Sequence, residues 1–322
     1  MPQGSILGPM LFNIYLSDLF LSLSEANICS YADDNSPYAC KTKTDDVITQ
    51  LQEDSNKLLQ WFAHNSLKPN PDKFHLILND SDENLSINVG QYVIHNSQNG
   101  KLLGVTIDSK LTFNDHVAGL CKKATKKLHA LTRVSRYMNT AKRRVIMKSF
   151  ITSHFGYCPL VWMLHSRTLN NRINRIHERA LRVVYNDNVS SFEEMLQKDD
   201  SVTIHEKNIQ TLSIELFKVL HGLSPKIMDD IFSIKKDQKY NSKFPFNSRN
   251  VRTVAYGTET LSFLGPKIWS IIPLEIKECK SLSEFKSKIK KWKPHHCPCR
   301  MCKTYIGGVG FIDVAVYNQL SI

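Results

Sequence analysis

Between His116 and His177 the chain carries 13 Lys or Arg and not one Asp or Glu. Sixty-two residues with no internal counter-ions must turn their cations toward solvent or toward a polyanion. The apolar residues of this stretch recur at helical spacing, so the constraint is met by amphipathic helices with one apolar and one basic face. Residues 115–185 are therefore expected to be helical. Val117, Leu120, Ala124, Leu128, Leu131 and Met138 share one face of a first helix, and Lys122, Lys126 and Arg133 fall opposite. In a second helix near 169–185, Ile173, Ile176, Ala180 and Val184 line one side, and Arg172, Arg175, Arg179 and Arg182 another.

The rest of the chain sharpens this asymmetry. Residues 1–100 hold 5 Lys and no Arg against 12 acids, although the whole chain of 322 residues has a formal charge of +12. An acidic first third joined to a basic remainder suggests a metal-binding or catalytic part followed by a part that binds a polyanion such as nucleic acid. A basic face that is merely solvated is the other reading. The length suffices for two or three domains. No run of about 18 apolar residues occurs, and no basic segment precedes an apolar one at the N-terminus. Neither a membrane span nor a secretory signal is expected, which implies an intracellular location, nucleus or cytoplasm. Cys29, Cys40, Cys121, Cys158 and Cys279 are scattered, as in proteins of a reducing compartment.

Residues 1–110 are expected to mix helix and strand. Leu11 to Phe20 has helical spacing. Asn27 to Cys40 is expected to form strand, tight turn, strand, with Asp33, Asp34 and Asn35 in the turn. Thr44 is expected to cap a helix striped by Val47, Leu51, Leu58, Leu59 and Phe62. Phe74 to Leu78 and Lys101 to Ile107 are expected to be strands. Residues 191–290 are expected to be mostly helical, for example Ile204 to His221, with a polar, irregular stretch near 235–250.

Two adjacent carboxylates on a turn repel one another and raise each other's pKa. Divalent cations remove that repulsion, and Mg²⁺ prefers carboxylate and phosphate oxygens. A metal pair about 4 Å apart can activate a hydroxyl and stabilise a departing pyrophosphate. An isolated Asp-Asp is more often a solvated turn, but its surroundings here are specific. Met1-Pro2-Gln3-Gly4-Ser5-Ile6-Leu7-Gly8-Pro9 with Leu11-Phe12-Asn13-Ile14-Tyr15 resembles motif B of reverse transcriptases. Tyr31-Ala32-Asp33-Asp34 resembles motif C, Leu67-Lys68-Pro69-Asn70-Pro71-Asp72-Lys73 motif D, and Lys101-Leu102-Leu103-Gly104-Val105-Thr106-Ile107 motif E. The wording is that of non-LTR retrotransposons of the jockey and CR1 kind. Tyr256-Gly257, Phe263 and Gly265-Pro266-Lys267-Ile268-Trp269 resemble the tail region of their reading frames.

The resemblance implies an α+β fold. A partial polymerase palm, an antiparallel hairpin sheet plus helices, would occupy 1–110. A basic helical thumb would follow at 111–190, then a helical C-terminal region at 191–290 and a Cys/His tail at 291–322. The implied activity is RNA-directed DNA polymerase, with an RNA template, a DNA primer and dNTPs as partners and Mg²⁺ as cofactor. No membrane and no defined protein partner are implied. Asp33 and Asp34 would be the metal ligands and Lys73 a donor to pyrophosphate. Gln3, Gly4 and Tyr31 would lie along nucleotide and template. Leu103 and Gly104 would form the primer grip, and Lys122, Lys126, Arg133, Arg172, Arg175 and Arg179 would contact phosphates without reading sequence.

The family also needs a third carboxylate from motif A, which precedes motif B and is not found here. The chain is therefore expected to be inactive alone, with an exposed apolar surface and an unpaired sheet edge, and to represent a truncated copy or an incomplete gene model. A catalytically inactive nucleic-acid-binding remnant is the alternative function. At the other end, His296, Cys297, Cys299 and Cys302 supply enough soft ligands for one Zn²⁺, or form an exposed, reducible tail.

Overall fold

A computed structural model describes residues 4–21, 27–79, 85–235, 245–247, 251–253, 257–258, 260–294 and 299. Helices and small antiparallel hairpins are combined, in agreement with an α+β class. The chain divides into two compact units, Met1–Leu111 and Thr112–Ile322.

The first unit opens with α1 (Gly8–Tyr15), which starts on Pro9 in its first turn, where a missing N–H costs nothing. No residue of α1 is fully buried, and Ile6, Met10 and Ile14 around it are exposed. Its end is tied by the Tyr15 hydroxyl, which donates to the Asn65 carbonyl. Strands β1 (Asn27–Tyr31) and β2 (Asp34–Tyr38) pair antiparallel, with Tyr31 opposite Asp34. Helix α2 (Thr44–His64) buries Leu51, Leu58 and Trp61. Hairpins β3 (Ser86–Val89) with β4 (Tyr92–His95), and β5 (Asn99–Leu102) with β6 (Val105–Asp108), complete the unit. Side chains of α2 hold the β3–β4 hairpin: Gln52 Oε1 accepts from the Asn88 amide at 2.8 Å, and Asn56 Oδ1 accepts from the Gly90 amide at 2.7 Å.

Lys101 to Ile107 is not one strand, because Leu103 and Gly104 turn the chain between β5 and β6. Three further expectations change here. The turn between β1 and β2 is Ala32-Asp33, because Ala32 adopts the left-handed region (φ 52°) and closes the chain one residue early. Asp34 and Asn35 therefore belong to β2. Thr44 is the first helical residue of α2 rather than its cap, which falls on Lys43. Phe74 to Leu78 forms no ladder. It is joined to Asn96 by a single bridge at Leu76, and the Asn96 Oδ1 accepts from the Leu78 amide at 2.9 Å, so a side chain does what a strand neighbour would. Among the described residues the three hairpins stay separate two-stranded sheets. Pro37 in β2 removes a ladder donor and suits an edge position.

The second unit is helical among its described residues, apart from one isolated bridge: α3 (Asn114–Val134), α4 (Thr140–Phe150), α5 (Pro159–Trp162), α6 (Arg167–Tyr185), α7 (Phe192–Lys198), α8 (Ile204–Leu220), α9 (Ile227–Ile231), α10 (Leu261–Ile271), α11 (Leu274–Lys277) and α12 (Leu282–Lys291). A first core joins Val117, Leu120, Ala124, Leu128 and Leu131 of α3 to Ile173, Ile176, Ala180 and Val184 of α6, with Met147 and Ile151. These are the faces the periodicity marks. Met138 is the exception: α3 ends at Val134, a 3₁₀ turn follows, and Met138 is only half-buried. A second core packs Ile209, Leu212 and Leu216 of α8 against Leu264 and Ile268 of α10 and Ile289 of α12. Phe217 stacks on Phe285 with ring centroids 4.3 Å apart. Capping boxes at Ser191–Glu194 and Thr203–Glu206 start α7 and α8.

Part of the acid-free stretch meets a third fate, pairing with groups of the fold while staying partly exposed. Asp199, just after α7, is buried. Its Oδ1 accepts from Arg144 Nε at 2.6 Å and from the Tyr185 hydroxyl at 2.8 Å, and its carbonyl accepts from Arg144 Nη2 at 2.5 Å. Lys148 Nζ stands 3.6 Å from Oδ2. Arg143 donates to the Val183 and Val184 carbonyls at 3.3 and 3.2 Å, in the last turn of α6, where a cation also complements the helix dipole. Burial alone would raise the Asp199 pKa, but hydrogen bonds from Arg144 and Tyr185 and the Lys148 charge hold it below the ordinary 3.8. Nearby His177 is pushed down to about 4 by burial, with Asp199 opposing and Lys207 and Lys148 adding to the shift.

Both shifts act in one direction. A native pKa below the unfolded one gives stability that is complete above the unfolded pKa and lost as pH falls through the native one. Stability should therefore decline from about pH 6.5 toward 4 as His177 loses its neutral advantage, and further as Asp199 protonates. Denaturant titrations across this range should show the decline, with a shallower slope in His177→Gln. At neutral pH Asp199→Ala should cost about 2 kcal/mol, because the half-exposed Arg144 and the Tyr185 hydroxyl lose their shared buried acceptor.

Candidate functional site

The turn bearing Asp33 and Asp34 is built locally. Asn35 Oδ1 accepts from the Ser30 hydroxyl at 2.6 Å, and its amide donates to the Asp33 carbonyl at 3.4 Å, bracing the left-handed Ala32 from both sides. Both carboxylates are exposed. They line a cavity of about 1010 Å³ whose wall also holds Lys73, with Lys41, Lys68, Lys101 and His75. Apolar side chains of the unit's core, including Leu51, Leu58 and Ile87, form the rest of it. Lys73 is placed by a 3₁₀ turn, Pro71–Lys73, that Asn70 caps by accepting from the Asp72 amide at 3.1 Å.

The structure thus brings Asp33, Asp34 and Lys73 to one cavity. Sequence reasoning missed Lys41, Lys68 and Lys101 there. The available signal was scarcity: of the 5 Lys in residues 1–100, Lys41, Lys68 and Lys73 all line this cavity. Cations beside carboxylates suit a ligand that carries both phosphate and a bound divalent ion.

Other expected residues lie elsewhere. Tyr31 is 68% exposed and is not part of the cavity wall. Gly4 is exposed at φ 88° and also stands apart from it, and Gln3 lies outside the described residues. Leu103 and Gly104 are the two turn residues of the β5–β6 hairpin, with φ 47° and 84°. Positive φ at both places defines a type I′ turn, which normally takes Asn-Gly. Leu103 there is a strained choice, with its neighbour Leu102 on the cavity wall.

Lys122, Lys126 and Arg133 are exposed on α3, and Arg172, Arg175 and Arg179 are exposed on α6. None of the six forms an ion pair with another described residue. Arg182 differs: it pairs with Glu178 at 2.8 Å. The basic faces are thus separate from the cations that hold the unit together.

Among the described residues no three His, Cys, Asp or Glu side chains converge closely enough to hold a metal ion. Asp33 and Asp34 offer carboxylate oxygens that would suit Mg²⁺ but do not by themselves complete a two-metal centre. Cys299 is buried against His205, with Nε2 to Sγ at 2.9 Å, whereas His296, Cys297 and Cys302 lie outside the described residues. No described helix is long and apolar enough to cross a membrane.

Known proteins resemble parts of this chain. Residues 1–107 match the family described as reverse transcriptase (RNA-dependent DNA polymerase). The family uses Mg²⁺ and binds RNA template, primer and dNTPs. The chain is 25% identical over 197 residues to a probable RNA-directed DNA polymerase from transposon BS of Drosophila melanogaster, covering 57% of this chain and 22% of that protein. It is 26% identical over 196 residues to the RNA-directed DNA polymerase from mobile element jockey of Drosophila melanogaster, covering 56% and 21%. A Pol polyprotein from the type-1 retrotransposable element R1 2 of Nasonia vitripennis is 24% identical over 174 residues, 50% of this chain and 42% of that one. The chain spans about a fifth of the length of the first two relatives. No solved structure matches it.

A left-handed L-residue costs about 1–2 kcal/mol, and Asn tolerates that region better than Leu. Leu103→Asn should therefore raise the unfolding free energy by about 1 kcal/mol in urea titrations. No gain would show that contacts of the Leu103 side chain outweigh the strain.

Proposed function

We propose that this chain is part of an RNA-directed DNA polymerase of a non-LTR retrotransposon, with Met1–Leu111 contributing to the palm and the helices from α3 onward acting as thumb and C-terminal region. One observation carries the reading: Asp33 and Asp34 open from a braced hairpin turn into a cavity that also gathers Lys73, Lys41, Lys68 and Lys101. That segment lies within the reverse transcriptase match. In this reading the carboxylates hold Mg²⁺, which when bound supplies charge neutralisation for phosphoryl transfer. The lysines draw the triphosphate in and steady the departing pyrophosphate. Leu103 and Gly104 support the primer, and Gln3, Gly4 and Tyr31 lie along nucleotide and template. The exposed cations of α3 and α6 follow duplex phosphates.

A second reading is favoured by the lack of a third converging carboxylate among the described residues. On that reading the chain alone binds a primer–template and does not extend it. Mn²⁺ binding, followed by water-proton relaxation, should be weak in the wild type and lost in Asp33→Ala/Asp34→Ala. Equal binding in both would sink the metal assignment. Primer extension on an RNA template in Mg²⁺ or Mn²⁺ should give no product from the chain alone, and incorporation abolished by Asp33→Ala would refute the remnant reading.

Affinity for a primer–template should fall steeply with salt, because phosphate contacts release counter-ions. The triple variant Arg172→Gln, Arg175→Gln, Arg179→Gln should flatten the log–log salt slope by about 3, roughly one per lost contact. An unchanged slope would remove α6 from the interface.

A further inference from the structure

The six exposed cations of α3 and α6 read above as duplex contacts share one trait: among the described residues none lies over an aromatic ring. A second set on the flank of α3 differs. Lys123 and Lys127 are one turn apart, and Lys127 Nζ stands 5.9 Å from the centre of the Phe150 ring, the last residue of α4. Just past α3, the Arg136 guanidinium lies 4.8 Å from the centre of the Tyr137 ring. Both rings are exposed, Phe150 by 55% and Tyr137 by 75%. Lys123, Lys127 and Arg136 are exposed too, and none forms an ion pair with another described residue. His154, in the 3₁₀ turn that follows α4, lies within the field of both lysines. Burial first, and then these two charges, hold its pKa below 6.5, so it adds no charge at neutral pH.

A single exposed ring is ordinary. Here the arrangement of ring and neighbouring cation occurs twice, at the two ends of α4, in a stretch without any Asp or Glu. The charge selects a polyanion, and the rings select among polyanions. In a duplex each base face is covered by the next base pair, so an exposed ring gains nothing. In a single strand every base offers a face that stacks on an aromatic side chain, while nearby cations hold the phosphates. Tyr137 precedes α4 and Phe150 ends it, and this 11-residue helix spans about 16 Å. The two rings therefore serve a strand of several nucleotides rather than one base.

We propose that Tyr137 and Phe150, with Lys123, Lys127 and Arg136, form a stacking surface for single-stranded nucleic acid, separate from the duplex contacts of α6. The inference rests on the nucleic-acid reading of the helical unit and not on the cavity of Asp33 and Asp34.

The test measures fluorescence anisotropy of the full chain with three probes of equal length: oligothymidylate, an abasic strand and a duplex. The wild type should bind oligothymidylate more tightly than the abasic strand. Tyr137→Ala and Phe150→Ala should each weaken oligothymidylate binding about 10-fold, and leave abasic and duplex affinities unchanged. Tyr137→Phe and Phe150→Tyr should keep the wild-type affinity. The triple Gln variant of α6 should lose duplex affinity yet keep the preference for oligothymidylate over the abasic strand, so the two interfaces fail separately. Should an Ala variant not fold, the wild type still decides: photocrosslinking to a bromodeoxyuridine strand should map to Tyr137 or Phe150, and crosslinks confined to other residues would overturn the proposal. Equal wild-type affinity for oligothymidylate and the abasic strand would also overturn it. So would Ala variants that lose binding to phosphatidylserine vesicles while keeping oligothymidylate, which would make the surface a membrane contact.

Discussion

The helical unit depends on Asp199. A long stretch with no acids cannot neutralise itself, so any carboxylate that pairs with its cations must come from beyond it. Asp199 is that carboxylate. It accepts from Arg144 of α4 and Tyr185 of α6, while Arg143 reaches the last carbonyls of α6. Three helices are thereby held by one anion and one helix end. The half-exposed Arg143 and Arg144 are engaged by the fold, while Lys122, Lys126 and Arg133 on α3 and Arg172, Arg175 and Arg179 on α6 face outward. A basic surface arises because the fold has a place for only some of its positive charge.

The first unit shows the opposite economy. It is acidic, yet its lysines gather on the cavity that holds Asp33 and Asp34. The turn that presents these carboxylates depends on backbone conformation as much as on side chains. Ala32 and Leu103 both sit in the left-handed region, where Gly or Asn would be easier. One turn carries the carboxylates, and the other follows a strand that contributes Lys101 and Leu102 to the same wall.

The sequence made some of this legible and hid the rest for physical reasons. The faces of α3 and α6 could be read because a period of 3.6 residues is a local property. The hairpin at Asp33 and Asp34 could be read, but not its register, because nothing in Ala32 advertises a left-handed backbone. Phe74 to Leu78 was misread as a strand because apolar extended segments look alike whether a backbone or the Asn96 side chain satisfies them. The capping boxes at Ser191 and Thr203 are local signals, Ser or Thr followed three residues later by Glu. Lys41, Lys68 and Lys101 around the cavity, Arg144 with Asp199, and His205 with Cys299 were hidden because each is a meeting of distant segments. Four motifs in order carry the resemblance to reverse transcriptases, and the family match falls on the same segment, residues 1–107.

The burial of α8 also has a consequence in time. Its apolar stripe, Ile209, Leu212, Leu216 and Phe217, is covered by α10 and α12, which begin at Leu261 and Leu282. At about 5–20 residues per second, a ribosome finishes α8 several seconds before either cover exists. Nascent α8 has only α5 and α6 to pack against for that interval, and the rest of its apolar face is open to chaperones or to a neighbouring nascent chain. The unit is most vulnerable to misassembly while it is being made, before its last helices arrive.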